Sequence, residues 1–272
     1  MTHLAADERS GCSKGATVSG TQRVIPGSTA DSERSAGSGG GAPASWKVMP
    51  LHGPQVQRLL IEWISLVAAF VLTGFVVTKW WEPSAAGAAE TRLHDWLAAD
   101  RSSGPATRAA ELASALTNPH TKQVLLIVLL PLMLWAYRRW HDWALVTTGL
   151  LFEMTIFVVT SKLVRRERPV VGDLGQAPTF SWPSGHVAAA AVLYPGLAVV
   201  VFSHTRSTLW RCTFAAIAVA VPVAVAVARM YLGLHYLSDV VAGGILGVLS
   251  LLAVHAALVR ARGGRPLSDP TA

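Results

Sequence analysis

The sequence predicts an all-α protein, a polytopic membrane helical bundle with about six transmembrane helices. Hydrophobic residues make up 51% of its 272 positions and charged residues only 14%, which is apolar for a soluble chain of this length. Several nearly uncharged runs approach or reach the roughly 20 residues that a helix needs to cross a bilayer. Because no run alternates with the period of two that barrel strands require, helices are the expected spanning elements.

The chain divides into a tail, a spanning domain and a second tail. Residues 1–57 are rich in Gly, Ser, Ala and Thr without apolar periodicity, which predicts a disordered N-terminal tail. Residues 58–260 form the domain, and 261–272 form a basic C-terminal tail. The six spans are predicted at 59–81, 123–137, 143–162, 185–202, 210–229 and 236–258.

The segment of residues 82–122, between the first two spans, is too long and too rich in Ala for a simple turn. Leu93, Trp96 and Leu97 fit one face of a short helix, which could lie along the membrane surface. The other interpretation, and the expectation here, is a small helical cap that takes no part in chemistry.

The charge of the chain indicates which classes of partner it binds. The net charge is +7, but the basic residues do not cluster on a soluble, aromatic-bearing module, so phosphate or anionic lipid is favoured over nucleic acid. Cys12 and Cys212 give neither ligand spacing nor a disulfide framework. A plain count of Lys and Arg does not decide orientation. Basic connectors at Arg138-Arg139 and 206–211, with the basic C-terminus, favour cytoplasmic termini.

Three short polar islands stand at the ends of apolar spans. The first, 162–169, places four cations, Lys162, Arg165, Arg166 and Arg168, within seven residues. The planar fork of arginine suits bidentate contact with phosphate oxygens. The alternative is a basic helix end whose side chains extend to lipid headgroups.

The second island is Pro183-Ser184-Gly185-His186, at the start of an apolar run. It predicts a helix with Ser184 as N-cap, and a helix N-terminus binds anions through its free N–H groups. His186 would lie in the first turn, beside such an anion. The alternative is an ordinary capped helix whose histidine faces headgroups.

The third island contains Arg229, His235 and Asp239. A carboxylate four residues after a histidine lies on the same face of a helix. It can hold the proton of one ring nitrogen and leave the other nitrogen free as nucleophile or base. The alternative is that Ser238 or Asp239 only caps the last span.

All three islands fall on one side of the membrane, since they follow the third span, precede the fourth, and lie between the fifth and sixth. They can therefore share one site that holds a phosphoryl group, attacks it with an imidazole and protonates what leaves. Their position at the ends of apolar spans indicates a lipid substrate.

With these motifs the chain resembles the membrane-bound type-2 phosphatidic acid phosphatase superfamily, which is related in its core to vanadium haloperoxidases. That family carries Lys-x6-Arg-Pro, Pro-Ser-Gly-His and Ser-Arg-x5-His-x3-Asp. The second motif is intact, and the third is intact from Arg229 onward, with Ala228 where the family usually has Ser. The first motif departs: Ser161 stands seven residues before Arg168, and Lys162 comes one residue late.

The resemblance implies a role for each matching residue. His235 would attack phosphorus and form a phosphohistidine, with Asp239 orienting it. His186 would protonate the leaving group and then activate water. The phosphate-binding groups would be Arg168, Arg229, Ser184, Gly185 and, less securely matched, Lys162. No metal and no cofactor is expected, because arginines supply the positive charge.

The predicted function is that of a metal-independent lipid phosphate phosphatase. The expected substrates are undecaprenyl pyrophosphate, phosphatidylglycerol phosphate or phosphatidic acid, at the extracytoplasmic face of a bacterial plasma membrane. The alternatives are a lipid phosphotransferase that uses the same intermediate, and a non-catalytic membrane protein that retains the fold. The expected partners are the bilayer and a phosphorylated lipid, with no nucleic acid; the oligomeric state stays open.

Overall fold

The computed structural model describes residues 53–99, 104–118, 140–169 and 180–261, with isolated positions between 121 and 135. Regular structure in these ranges is helical, which confirms the all-α prediction. The helices are α1 (Gly53–Val76), α2 (Ala85–Ala98), α3 (Pro105–Ala115), α4 (Trp140–Val164), α5 (Gly185–His204), α6 (Thr208–Tyr231) and α7 (Leu237–Ala261). A π-helical turn, Val77–Trp81, extends α1.

Five helices in the described ranges are long and apolar enough to cross a membrane: Gly53–Trp81, His141–Val164, Gly185–His204, Thr208–Tyr231 and Leu237–Arg260. They coincide with five of the six predicted spans, so the chain is a multi-pass membrane protein. The predicted second span, 123–137, lies outside the continuously described ranges, as do 1–52 and 262–272 of the predicted tails. Helix α1 begins at Gly53, slightly inside the segment predicted as N-terminal tail.

Helix α5 lies at the centre of the bundle, where it packs against α4, α6 and α7. Its buried residues include an unbroken run from Val187 to Leu193 that contains four consecutive alanines. Lipid tails are as apolar as core side chains, so helices in a membrane associate through close packing rather than through hydrophobic burial. The small alanines of α5 permit this close packing from several sides.

Two glycines bring α7 against α5. A Cβ at Gly243 would lie 2.4 Å from the backbone oxygen of Ser184, and one at Gly247 would lie 2.3 Å from that of Ala188. The two glycines are one helical turn apart, the spacing typical of close membrane-helix pairs. As a result the starts of the two helices meet, and the Ser184 N–H donates to the Asp239 backbone oxygen at 3.0 Å.

The turn between α6 and α7 reverses the chain at the third polar island. The Leu234 N–H donates to the Arg229 oxygen at 3.0 Å, and the Gly233 N–H donates to the Met230 oxygen at 2.8 Å. This pair of bonds is a Schellman cap, which requires a left-handed residue. Gly233 provides it with a φ of 70°. The reversal brings His235 back beside Arg229.

The segment between the first two spans folds into α2 and α3, and α3 packs against α6. Ser84 caps α2 by accepting the Gly87 N–H at 3.2 Å, and Pro105 occupies the first position of α3, where its missing N–H is tolerated. Both helices lie at the end of the bundle where α6 ends and α7 begins. The expectation of short helices in this segment is confirmed.

Candidate active site

Four spanning helices deliver the polar islands to one end of the bundle: α4 and α6 end there, and α5 and α7 begin there. Direct contacts connect most of the predicted site residues. Arg168 contacts His235, His235 faces Asp239, and Asp239 is bonded through its backbone to Ser184. Gly185 and His186 follow Ser184 as the first residues of α5.

His235 is fully enclosed, with 1% of its surface exposed. Its Nε2 lies 3.2 Å from Nη1 of Arg168. Its Nδ1 lies 3.6 Å from Oδ2 of Asp239, longer than a hydrogen bond but close enough for electrostatic attraction, and has no hydrogen-bond partner among the described residues. The carboxylate therefore favours the tautomer with the proton on Nδ1, which leaves the Nε2 lone pair directed toward the cationic cluster.

Burial lowers the pKa of His235 to about 4. Asp239 acts against this shift and favours the charged imidazole, whereas the positive charges of Arg168 and Arg229 lower the pKa further. At neutral pH the imidazole is consequently uncharged, the form that a nucleophile needs.

Asp239 is held from three directions. Its Oδ1 accepts Nη1 of Arg166 at 2.6 Å. Its Oδ2 accepts the hydroxyl of Ser181 and the backbone N–H of Tyr236, the latter at 2.9 Å. The last bond caps the start of α7, so both sequence interpretations of Asp239, as cap and as partner of His235, describe its contacts.

Arg168 is anchored by backbone carbonyls. Its Nη1 donates to the Leu234 oxygen at 2.7 Å and its Nη2 to the Phe180 oxygen at 3.3 Å. Burial lowers the pKa of Arg168, while the charge of Asp239 acts to raise it. The guanidinium is thus fixed beside Nε2 of His235.

Arg229 and Ser184 have unused hydrogen-bonding capacity. Nη1 of the buried Arg229 donates to Oγ of Ser114 at 3.2 Å, but its Nε has no partner among the described residues. Ser184 is the N-cap of α5, yet its side chain makes no capping bond, and its buried Oγ also lacks a partner in the described ranges. Since buried polar atoms are nearly always paired, an anion is the complement that these donors fit.

His186 lies in the first turn of α5, where its Nε2 is 3.1 Å from Oδ1 of Asn118. Asn118 follows α3, so the segment between the first two spans reaches the site. The same segment supplies Ser114, which contacts Arg229, and Glu82 and Glu90, which contact Arg166. The prediction that this segment is a small helical cap with no part in chemistry did not include these contacts.

Lys162 lies apart from the other predicted residues. It is exposed in the last turn of α4, and its backbone oxygen accepts Nε of the exposed Arg165. A shift of one position turns a side chain by about 100° around a helix, which accounts for the separation. Arg166 is buried, but it faces Asp239 and two glutamates rather than the unpaired donors.

Residues 143–262 match the model of the PAP2 superfamily. This stretch is less than half of the chain. All the predicted site residues lie inside it, whereas Asn118 and Ser114 lie before it.

The chain is also similar to a curated relative and to a solved structure. Phosphatidylglycerophosphatase B of Bacillus subtilis (strain 168) is 31% identical over 130 residues, which cover 47% of this chain and 64% of that protein. The match thus spans just under two thirds of the relative's length. The crystal structure of a transmembrane PAP2 type phosphatidylglycerolphosphate phosphatase from Bacillus subtilis has a TM-score of 0.62 and 23% identity, and the match covers 72% of this chain and 94% of that one. The two proteins share a fold.

Proposed function

We propose that the protein is a membrane lipid phosphate phosphatase that works through a phosphohistidine at His235. The observation that carries this proposal is the pair of buried donors without partners among the described residues, Ser184 Oγ and Arg229 Nε. They lie in the same cluster as a neutral histidine and the cation of Arg168. Such a cluster fits a phosphoryl group and an attacking imidazole.

In the first half-reaction, the Nε2 lone pair of His235 attacks phosphorus and the bond from phosphorus to the leaving oxygen breaks. His186 gives its proton to that oxygen, so an alcohol leaves rather than an alkoxide. The developing positive charge on the ring of His235 is stabilised by the carboxylate of Asp239 near Nδ1. The product is a phosphorylated Nε2.

In the second half-reaction, His186 takes a proton from water while the water oxygen attacks phosphorus. The N–P bond breaks, its electron pair returns to Nε2 of His235, and inorganic phosphate leaves. Throughout, the equatorial oxygens are stabilised by Arg168, Arg229, Ser184 and the N–H of Gly185. Two guanidinium groups neutralise the charge that Mg²⁺ neutralises in many phosphoryl-transfer enzymes, so we propose that the reaction is metal-independent.

Apolar clefts beside the site support a lipid substrate. A cleft of about 430 Å³ between α6 and α7 is lined by apolar residues that include Val187 and Val240, the chain neighbours of His186 and Asp239. It gives a hydrocarbon chain room within the depth of the membrane. The name of the curated relative makes phosphatidylglycerol phosphate the first substrate to test, ahead of undecaprenyl pyrophosphate and phosphatidic acid.

We place this site at the extracytoplasmic face, with both termini in the cytoplasm. The connector between α5 and α6 supports this orientation, because it lies at the opposite end of the bundle and carries Arg206, with Arg211 in the first turn of α6. Short basic connectors are typical of the cytoplasmic side.

The experiment is phosphate release by the purified protein in detergent with EDTA, from each of the three lipids, beside a His235→Ala control. We expect release that resists EDTA and disappears in the control. Release that continues in His235→Ala, or that requires an added divalent cation, would contradict the proposal. Transfer of the phosphoryl group to an added alcohol in place of water would instead indicate the phosphotransferase.

A further inference from the structure

Arg166 is buried, with 3% of its surface exposed, and each of its nitrogens has an acidic or hydroxyl partner. Its Nε donates to Oε1 of Glu82 at 2.6 Å, and its Nη2 lies 3.6 Å from Oε2 of Glu90. Its Nη1 donates to Oδ1 of Asp239 at 2.6 Å and to Oγ of Ser238 at 2.7 Å. An incoming phosphate could reach this guanidinium only by displacing these partners.

The positive charge of Arg166 is neutralised by acidic side chains around it. Three carboxylates face it: Glu82 from the turn after α1, Glu90 from α2, and Asp239 from α7. The ring of Tyr236 lies 4.6 Å from its guanidinium carbon and adds a cation–π contact. Burial would lower the pKa of Arg166, but Asp239 and Glu82 raise it above its usual value, so the side chain is a permanent cation.

Glu90 connects this cluster to the start of α7. Its Oε1 accepts the backbone N–H of Ser238, one of the free N-terminal donors of that helix, and its Oε2 accepts Nε1 of Trp81 at 3.0 Å. The glutamate therefore fixes the first turn of α7, while Arg166 fixes the side chain of Asp239 within that turn. Both act on the group that faces Nδ1 of His235.

We propose that Arg166 is a positioning residue for the reaction, which holds the Asp239 carboxylate against His235 and is itself held by Glu82 and Glu90. The proposal rests on the function proposed above. It places Arg166 outside the phosphate-binding set and gives the segment between the first two spans a role in the chemistry. Arg166 acts on the rate by orienting Asp239 and by offsetting part of its negative charge.

The test compares Arg166→Gln, Arg166→Lys and the control Arg165→Gln, whose arginine is the exposed neighbour in the chain. For Arg166→Gln we expect kcat to fall about tenfold or more, within the range of coupling between groups in contact, while KM for the lipid phosphate stays near the wild-type value. Arg166→Lys retains the charge and should recover part of the loss. Arg165→Gln should match the wild type.

The pH profile separates positioning from a purely structural role. His235 is faced by Asp239 from α7, Arg168 from the segment after α4, and Arg229 from α6. Without Arg166 the negative charge of Asp239 is less offset, so His235 binds a proton more readily and the acid limb of kcat moves to higher pH in Arg166→Gln. In Arg166→Lys the acid limb of the kcat profile should stay near its wild-type pH.

Each outcome decides the proposal. A folded Arg166→Gln with wild-type kcat and acid limb, or one whose loss lies in KM, overturns it. If Arg166→Gln does not yield folded protein, Arg166→Lys decides: a lower kcat at unchanged KM supports the proposal, and a wild-type kcat overturns it. If the wild-type protein shows no phosphate release that is lost in His235→Ala, the proposed function is contradicted instead. The failure of the proposed function is thus distinguishable from the failure of the proposal for Arg166.

Discussion

His235 is kept neutral by its surroundings, and this sets the pH range of the attack on phosphorus that we propose for it. Its pKa is lowered to about 4, whereas an ordinary histidine titrates near 6.5. As the pH falls from 6.5 to about 4, an ordinary histidine gains a proton, but His235 remains neutral. We therefore expect kcat to hold as the pH falls through 6 and 5 and to drop near 4. A pH profile in detergent checks this, and an acid limb near pH 6.5 would contradict it.

Asn118 contacts the imidazole that we propose as general acid. Asn118→Leu keeps a similar volume but cannot bond to Nε2 of His186, so the ring loses this contact. We expect kcat for a lipid phosphate to fall by about tenfold, and by less for an aryl phosphate, whose leaving group needs little protonation. Glu111→Gln, at an exposed position of α3, is the control. An equal loss for both leaving groups would exclude this role for Asn118.

Site residues that belong to short motifs can be predicted from the sequence, whereas those that come from elsewhere in the chain cannot. His186, His235 and Asp239 are visible because fixed spacing places them near a helix start. Asn118 and Ser114 contact residues that lie 68 and 115 positions further along the chain. They stand in an Ala-rich segment without a recognisable motif, so only the packing of α3 on α6 reveals them.

The arrangement of the site depends on the contact between helices α5 and α7. At Gly243 an added Cβ would lie 2.4 Å from the Ser184 backbone oxygen, whereas at Gly244 the nearest atom is Cγ1 of Val187 at 3.9 Å. Gly243→Ala should therefore push the helices apart and separate Asp239 from Ser184. We expect a loss of about 1–3 kcal/mol in stability, typical of overpacking, together with lower kcat.

Gly244→Ala is the matched control, because it adds the same methyl group to the adjacent position of the same helix. It should leave the thermal unfolding temperature and the phosphate release near wild-type values. Equal behaviour of the two alanine variants in thermal unfolding and activity would show that the close contact at Gly243 does not hold the site together.

The long apolar helices could be predicted because length and composition alone decide what crosses a bilayer. Their predicted bounds agree with the described spans to within a few residues, apart from an earlier start of α1. The positions of α2 and α3 could not be predicted, since they depend on tertiary contacts such as that of Glu90 with Arg166. The displaced Lys162 was visible in the sequence, but the direction of its side chain became clear only from the end of α4.

At the scale of the whole molecule, the proposed orientation predicts which surfaces face the cell exterior. In a Cys12→Ser, Cys212→Ser background, Glu111→Cys on α3 should react with a membrane-impermeant maleimide in intact cells. Arg206→Cys, in the connector at the opposite end, should react only after permeabilisation. Both positions are exposed in the structure, so accessibility of the thiol does not bias the comparison. The reverse pattern would place the site in the cytoplasm.

In the proposed reaction a phosphoryl group passes through His235. To detect it, the enzyme is mixed with a lipid that carries ³²P in its terminal phosphate, and the reaction is quenched rapidly without acid. The labelled peptide is then isolated. We predict a label on the peptide that contains His235, stable in alkali and lost in acid, and absent from His235→Ala. In His186→Ala, with a substrate whose leaving group needs little protonation, the labelled His235 should accumulate, because this variant activates water poorly for the second half-reaction. Phosphate release from the wild type with no labelled histidine at any quench time would contradict the account.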